Sequence, residues 1–194
     1  MAKSVEFYFD FGSPNAYLAY TRLPGLAKRT GAEIVYRPML LGGVFKAVDN
    51  TSPALHPLKG PYLMIDLARC AKRYGVPYAF NPHFPVNTLA IMRGAVATLA
   101  DGGFQPYADA MYRAMWVEGR EMDDPAVIAE VLTGIGLDPE AFAARIAETA
   151  IKQGLIAATE EAVSRGIFGA PTMFVGDEMF FGQDRLDYVE AALR

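Results

Sequence analysis

Hydrophobic positions along this chain fall into three blocks of different character. The first is short and β-rich: Val5 to Phe9 reads Val-Glu-Phe-Tyr-Phe and runs out at Gly12, which predicts a buried strand. Ser13-Pro14 follows, and then Tyr17, Leu18, Leu23 and Leu26 at positions that suit a helix. Serine is a favoured N-cap and proline is favoured at the first helical position, so a helix is expected to start here. It should end before Gly31, with Pro24 kinking or dividing it. Glu33 to Arg37 then reads as a second strand stopped by Pro38. Strand, helix and strand make a βαβ unit with a parallel pair.

The second block, Met39 to Gly166, is almost wholly helical in its signals. Leu63, Leu67, Cys70 and Tyr74 form one stripe after Pro61, with Gly75 beyond. Leu89, Met92, Val96 and Leu99 form another, capped by Asn87 and ended by Gly102-Gly103. Asp124-Pro125 and Asp138-Pro139 are cap-plus-proline starts. The Ala-rich stretch from Phe142 to Val163 predicts one or two helices, with Gly154 as the break. Met39 to Asn50 and Asn81 to Asn87 read as loops. In the third block, Thr172 to Val175 and Glu178 to Phe181 are strands around a Gly176-Asp177 hairpin turn. Gln183-Asp184 then caps a last short helix through Leu186, Val189 and Leu193.

The order is β-α-β, a helical block, then β-β-α. It predicts an α/β thioredoxin-type fold in which residues 1–38 and 167–194 form one central sheet and residues 39–166 are an inserted helical domain over its edge. Composition narrows the function. The chain has 22 acidic and 18 basic residues, with no basic footprint for nucleic acid and no polybasic membrane patch. One cysteine, Cys70, excludes an internal disulfide and a thiolate-rich metal site. The two histidines, His56 and His83, lack ligand spacing. No signal peptide or transmembrane stretch is visible, so a reducing, cytoplasmic setting is expected.

The chemistry centres on Phe11-Gly12-Ser13-Pro14-Asn15-Ala16. A thioredoxin-type fold normally presents Cys-x-x-Cys at this turn. Here the first and fourth positions are Ser13 and Ala16, and disulfide exchange needs a thiolate that neither can supply. What remains is a hydroxyl on a helix N-terminus, suited to an anion that includes a thiolate brought by a ligand. Ser-Pro is also an ordinary cap, so the motif alone leaves both readings open. Gly169-Ala170-Pro171-Thr172 adds to it: a proline just before a late apolar strand fits the cis-proline loop, whose preceding residue turns its backbone toward a peptide ligand. Gly182-Gln183-Asp184 opens another helix. Asn50 and Lys59 flank a Pro- and Ser-containing loop. Cys70 is expected to be a buried structural thiol, and Trp116 a core residue.

Three stretches together carry a resemblance. Phe7 to Tyr17, Asn81 to Leu89, and Gly169 to Thr172 with Phe180 to Leu186 are similar to motifs of the 2-hydroxychromene-2-carboxylate isomerases, relatives of the kappa-class glutathione transferases. The resemblance implies reduced glutathione as cofactor, with Ser13 hydrogen-bonding its sulfur. It further implies Asn50 and Lys59 at the glycyl end, the backbone of Ala170 before Pro171 at the cysteinyl unit, and Gln183 and Asp184 at the γ-glutamyl end. Kappa relatives more often carry Ser at the position of Gln183. Phe84 and Asn87 are the implied lining of the second-substrate pocket. The implied partner is a small aromatic substrate, with a homodimer as the candidate assembly. Two rivals stay open: a transferase that conjugates an electrophile to glutathione, and a non-catalytic peptide-binding protein of the same fold.

Overall fold

The computed structural model describes residues 3–194. Met1 and Ala2, which head the expected sheet half, lie outside the described residues. Strands β1 (Ser4–Phe9) and β2 (Glu33–Pro38) run parallel, joined by helix α1 (Pro14–Thr30). Seven helices follow: α2 (Leu41–Ala47), α3 (Lys59–Tyr74), α4 (Leu89–Asp101), α5 (Phe104–Trp116), α6 (Pro125–Gly134), α7 (Pro139–Ala147) and α8 (Thr149–Ser164). The chain then returns to strand in β3 (Thr172–Val175) and β4 (Glu178–Phe181) before α9 (Leu186–Ala192). The sheet order is β2-β1-β3-β4, and β3 is antiparallel to both neighbours, with Tyr8 opposite Thr172. The central strands thus come from opposite ends of the chain. Helices α4 and α8 pack on β2, the edge strand.

The core follows from the aromatic load of β1, the turn after it, and α5. Phe7, Phe9 and Phe11 are fully buried, and so are Tyr107, Tyr112 and Trp116 from α5. Phe9 lies between Phe7, Phe11, Phe104 and Tyr112, with ring centroids 5.4–6.3 Å away. Burying each such ring contributes about 1.5–3 kcal/mol. No helix among the described residues is long and apolar enough to cross a membrane.

Four local expectations are corrected. Helix α1 is not divided at Pro24 but continues to Thr30. An internal proline costs about 3 kcal/mol, and burial of Leu23 and Leu26 on the same turns is of comparable size. The break in the Ala-rich stretch falls at Glu148, which is extended, while Gly154 lies inside α8. A Cβ on Gly154 would stand 3.1 Å from Val96 Cγ1, so this glycine serves close packing of α8 on α4. Residues 41–47, expected as loop, form α2, anchored by buried Val44. Gln183 and Asp184 cap nothing with their side chains: a 3-10 turn over Gln183–Arg185 leads into α9.

Candidate active site

The turn between β1 and α1 is fixed by its own hydrogen bonds. Ser13 is the N-cap of α1 in extended geometry, and its Oγ accepts the Ala16 N–H at 3.1 Å. That leaves the hydroxyl proton to be given elsewhere, and it goes to the Ala170 carbonyl at 3.0 Å. Ser13 is 4% exposed and Ala170 9%. The Ala170–Pro171 peptide is cis, as the sequence led one to expect, and Phe84–Pro85 is a second cis bond that was not foreseen. The Ser13 turn and the proline loop therefore meet through one side-chain hydroxyl, at the base of a cleft.

The cleft has a volume of about 510 Å³, inside the range of small-molecule sites. Phe45, Phe80, Phe84, Phe168 and Phe181 give it aromatic walls, and Asp10 and Lys46 are the only charged side chains among its lining residues. Behind Phe80 and Phe84 stands Trp116, whose indole N–H donates to the Phe11 carbonyl at 2.7 Å. The Phe168 and Phe181 rings pack 4.5 Å apart. Gly169 permits this, since a Cβ there would come within 2.8 Å of the Phe181 ring.

Of the residues singled out from sequence, Ser13, Asn50, Phe84 and Ala170 line this cleft, and Pro171 adjoins it through the cis bond. Asn50 Nδ2 donates to the Phe168 carbonyl at 2.9 Å, tying its loop to the proline loop. Lys59, Gln183, Asp184 and Asn87 are not among the lining residues. Lys59 is exposed at the start of α3. Asn87 is exposed, and its Oδ1 accepts the Leu89 N–H at the head of α4. Asp184 is exposed and paired with Arg185 at 2.6 Å. Gln183 is buried: its Oε1 accepts the Tyr74 hydroxyl at 2.7 Å and its Nε2 donates to Cys70 Sγ at 3.4 Å. Cys70 itself is half-buried, not fully buried as expected, because it sits at the margin of the core under that amide.

The lining also holds residues that the sequence reading passed over. Asp10 is 2% exposed. Its carboxylate accepts the N–H groups of Gly12 and Leu41, both at 2.8 Å. Burial pushes its pKa up, against these bonds and one from the Thr88 hydroxyl, which pull it down. Lys46 is an exposed cation at the end of α2. The available signal for Asp10 was a charge directly after an apolar strand, three residues before Ser13; Lys46 had none, because its segment read as loop.

Comparison with known proteins fits this geometry. The family model described as "DSBA-like thioredoxin domain" matches residues 4–194. A 2-hydroxychromene-2-carboxylate isomerase of Pseudomonas putida is 37% identical over 191 residues, covering 97% of this chain and 93% of that protein. The chain belongs to the 2-hydroxychromene-2-carboxylate isomerase family, on a DSBA-like thioredoxin domain. A solved structure of a 2-hydroxychromene-2-carboxylate isomerase superposes with a TM-score of 0.85 at 36% identity, covering 98% of this chain and 94% of that one. More distantly, the chain is similar to a kappa glutathione S-transferase of Caenorhabditis elegans, 27% identical over 98% of this chain and 90% of that protein.

Proposed function

We propose that the protein is a glutathione-dependent isomerase, interconverting 2-hydroxychromene-2-carboxylate and trans-o-hydroxybenzylidenepyruvate-type intermediates of aromatic catabolism. One observation carries the reading: the Ser13 hydroxyl has its oxygen occupied by Ala16 N–H and its proton pointed at the cis-proline loop. A hydroxyl so held is a donor with a fixed direction, and no protein thiol competes for it. When bound, glutathione supplies a thiolate that adds to the unsaturated keto acid, turns its double bond into a rotatable single bond, and leaves again.

The chain's own part is binding, orientation and charge. Ser13 donates to the sulfur, and the N-terminus of α1 adds a favourable dipole. Together they favour the thiolate over a thiol whose free pKa is about 8.5. Ala170, before Pro171, pairs with the cysteinyl backbone. Asn50 and Lys59 take the glycyl carboxylate. Gln183 contributes its backbone and Asp184 its carboxylate to the γ-glutamyl end, adjoining the proline loop where Gly182 N–H meets the Pro171 carbonyl at 3.0 Å. Phe84, with Phe45 and Phe80, stacks on the aromatic substrate, Lys46 faces its carboxylate, and Asn87, beside the head of α4, reaches the same substrate from outside the cleft lining. A reducing cytoplasm suits a thiol cofactor. The exposed apolar residues Leu55, Leu58, Tyr62 and Ile65 support a homodimer.

Calorimetry with reduced glutathione should give a Kd of about 1 μM to 1 mM. Turnover of the chromene should require glutathione and return it unchanged. A thioether product would favour the conjugating transferase instead, and absence of both binding and turnover would leave only the non-catalytic reading.

A further inference from the structure

Helix α2 is poorly equipped to hold itself together. It is seven residues long and includes Gly42 and Gly43, so its intrinsic helicity is weak. Its N-cap position is Leu40, extended at φ −85° and ψ 104°, and no side chain from that position bonds the open amides. Yet this helix delivers Phe45 and Lys46 to the cleft. Asp10, 31 residues away in sequence, supplies the missing acceptor: its Oδ2 takes the Leu41 N–H. The other oxygen, Oδ1, takes the Gly12 N–H, inside the turn that presents Ser13. The Thr88 hydroxyl, next to the head of α4, helps hold the charge of the same carboxylate, and a Cβ on Gly12 would touch Thr88 Cγ2 at 3.0 Å.

We propose that Asp10 is a positioning residue, whose buried carboxylate clamps α2 and the Ser13 turn to each other and so sets the distance between the hydroxyl and the wall that receives the second substrate. This rests on the isomerase reading. A carboxylate suits the task because each oxygen accepts one N–H from a different segment with charge assistance. The glutathione side depends on it less, since Ser13 keeps its own bonds to the Ala16 N–H and the Ala170 carbonyl and Asn50 its anchor on the Phe168 carbonyl.

The test is Asp10→Asn, which preserves volume but sets an amide NH₂ against one of the two backbone N–H groups. Backbone hydrogen exchange in α2 should speed up at least tenfold while the interior of α1 is unchanged. For the aromatic substrate, kcat/KM should fall at least tenfold, mostly through KM, with the glutathione Kd within threefold. Leu40→Ser, introduced into Asp10→Asn, gives α2 a local cap and should recover both protection and KM. Unchanged exchange in α2, a parallel loss of glutathione affinity, or failure of the second substitution to recover KM would each overturn the proposal. If Asp10→Asn does not fold, Thr88→Val decides by the same readouts, with a smaller rise in KM expected and no rise overturning it. The exchange measurement needs no substrate, so it still judges the clamp if wild-type protein shows neither glutathione binding nor turnover, the result that would sink the isomerase reading itself.

Discussion

Ser13 and Gln183 occupy similar sequence contexts, each beside a glycine at the mouth of a helix, and the fold uses them in opposite ways. Ser13 does cap its helix, and the same oxygen stands in the cleft. Gln183 caps nothing and turns inward to Tyr74 and Cys70. The difference is reach. A serine hydroxyl lies one bond beyond Cβ and finds its own backbone amides, whereas the longer glutamine side chain spans to the next helix and becomes a tie between α3 and the α9 end. A helix start read from sequence therefore marks a place where amides are free without saying which side chain will serve them.

The largest expected effect separates these roles most sharply. Ser13→Ala removes a charge-assisted bond of about 1.5–3 kcal/mol, so turnover should fall about ten- to a hundredfold while stability drops by only about 1 kcal/mol. Full activity with the stability loss alone would reduce Ser13 to a cap and erase the contrast. Gln183→Ala should do the reverse. It leaves the Tyr74 hydroxyl without its acceptor, and chemical denaturation should show a loss of about 1–3 kcal/mol, with glutathione affinity retained because the backbone is intact. Cys70→Ala should give a smaller stability loss, about 1 kcal/mol for a half-filled site, and the rate per folded molecule should persist and still need added glutathione; an inactive, folded variant would mean that the nucleophile is the protein's own thiol.

The smallest effect lies away from both regions and serves as a control. Glu6 is pushed up by burial but held below its ordinary 4.5 overall by hydrogen bonds and charge from Arg165 and Arg37. A lowered carboxylate contributes stability that is present above pH 4.5 and lost as pH falls through the folded value. Glu6→Gln should thus cost under about 1 kcal/mol at pH 7, the deficit should vanish in acid, and activity should not change. A change in activity would show that stability losses leak into rate, and the Gln183 result would have to be read again.

Much of the frame was legible from residues 4–38 and 172–181, because strands and caps there are written in local signals: apolar runs, Ser-Pro, Gly-Asp. The helix starts at Asp124 and Asp138 were equally plain, and both carboxylates cap as expected. Illegible were features settled by distant partners. Nothing local in Leu-Gly-Gly-Val-Phe-Lys-Ala announces α2, whose first amide is served by Asp10 from the turn after β1. Nothing in Pro24 tells that the core will hold its helix together. The candidate site was legible only in its turn and its proline loop. Its aromatic walls, from Phe45 to Phe181, come from separate elements and converge only in the folded chain.

The resting bond from Ser13 to the Ala170 carbonyl makes occupancy an exchange. A guest must outbid a neutral amide oxygen before it gains anything. A protonated sulfur is a weak acceptor and offers no advantage over that carbonyl; an anionic one does, since hydrogen bonds to ions are roughly twice as strong. The turn therefore acts as a threshold on charge more than a receptor for sulfur. Affinity for a thiol guest should tighten as pH rises toward the thiol's own pKa and then level off, while an isosteric guest with a hydroxyl in place of the thiol should bind weakly and with no such slope.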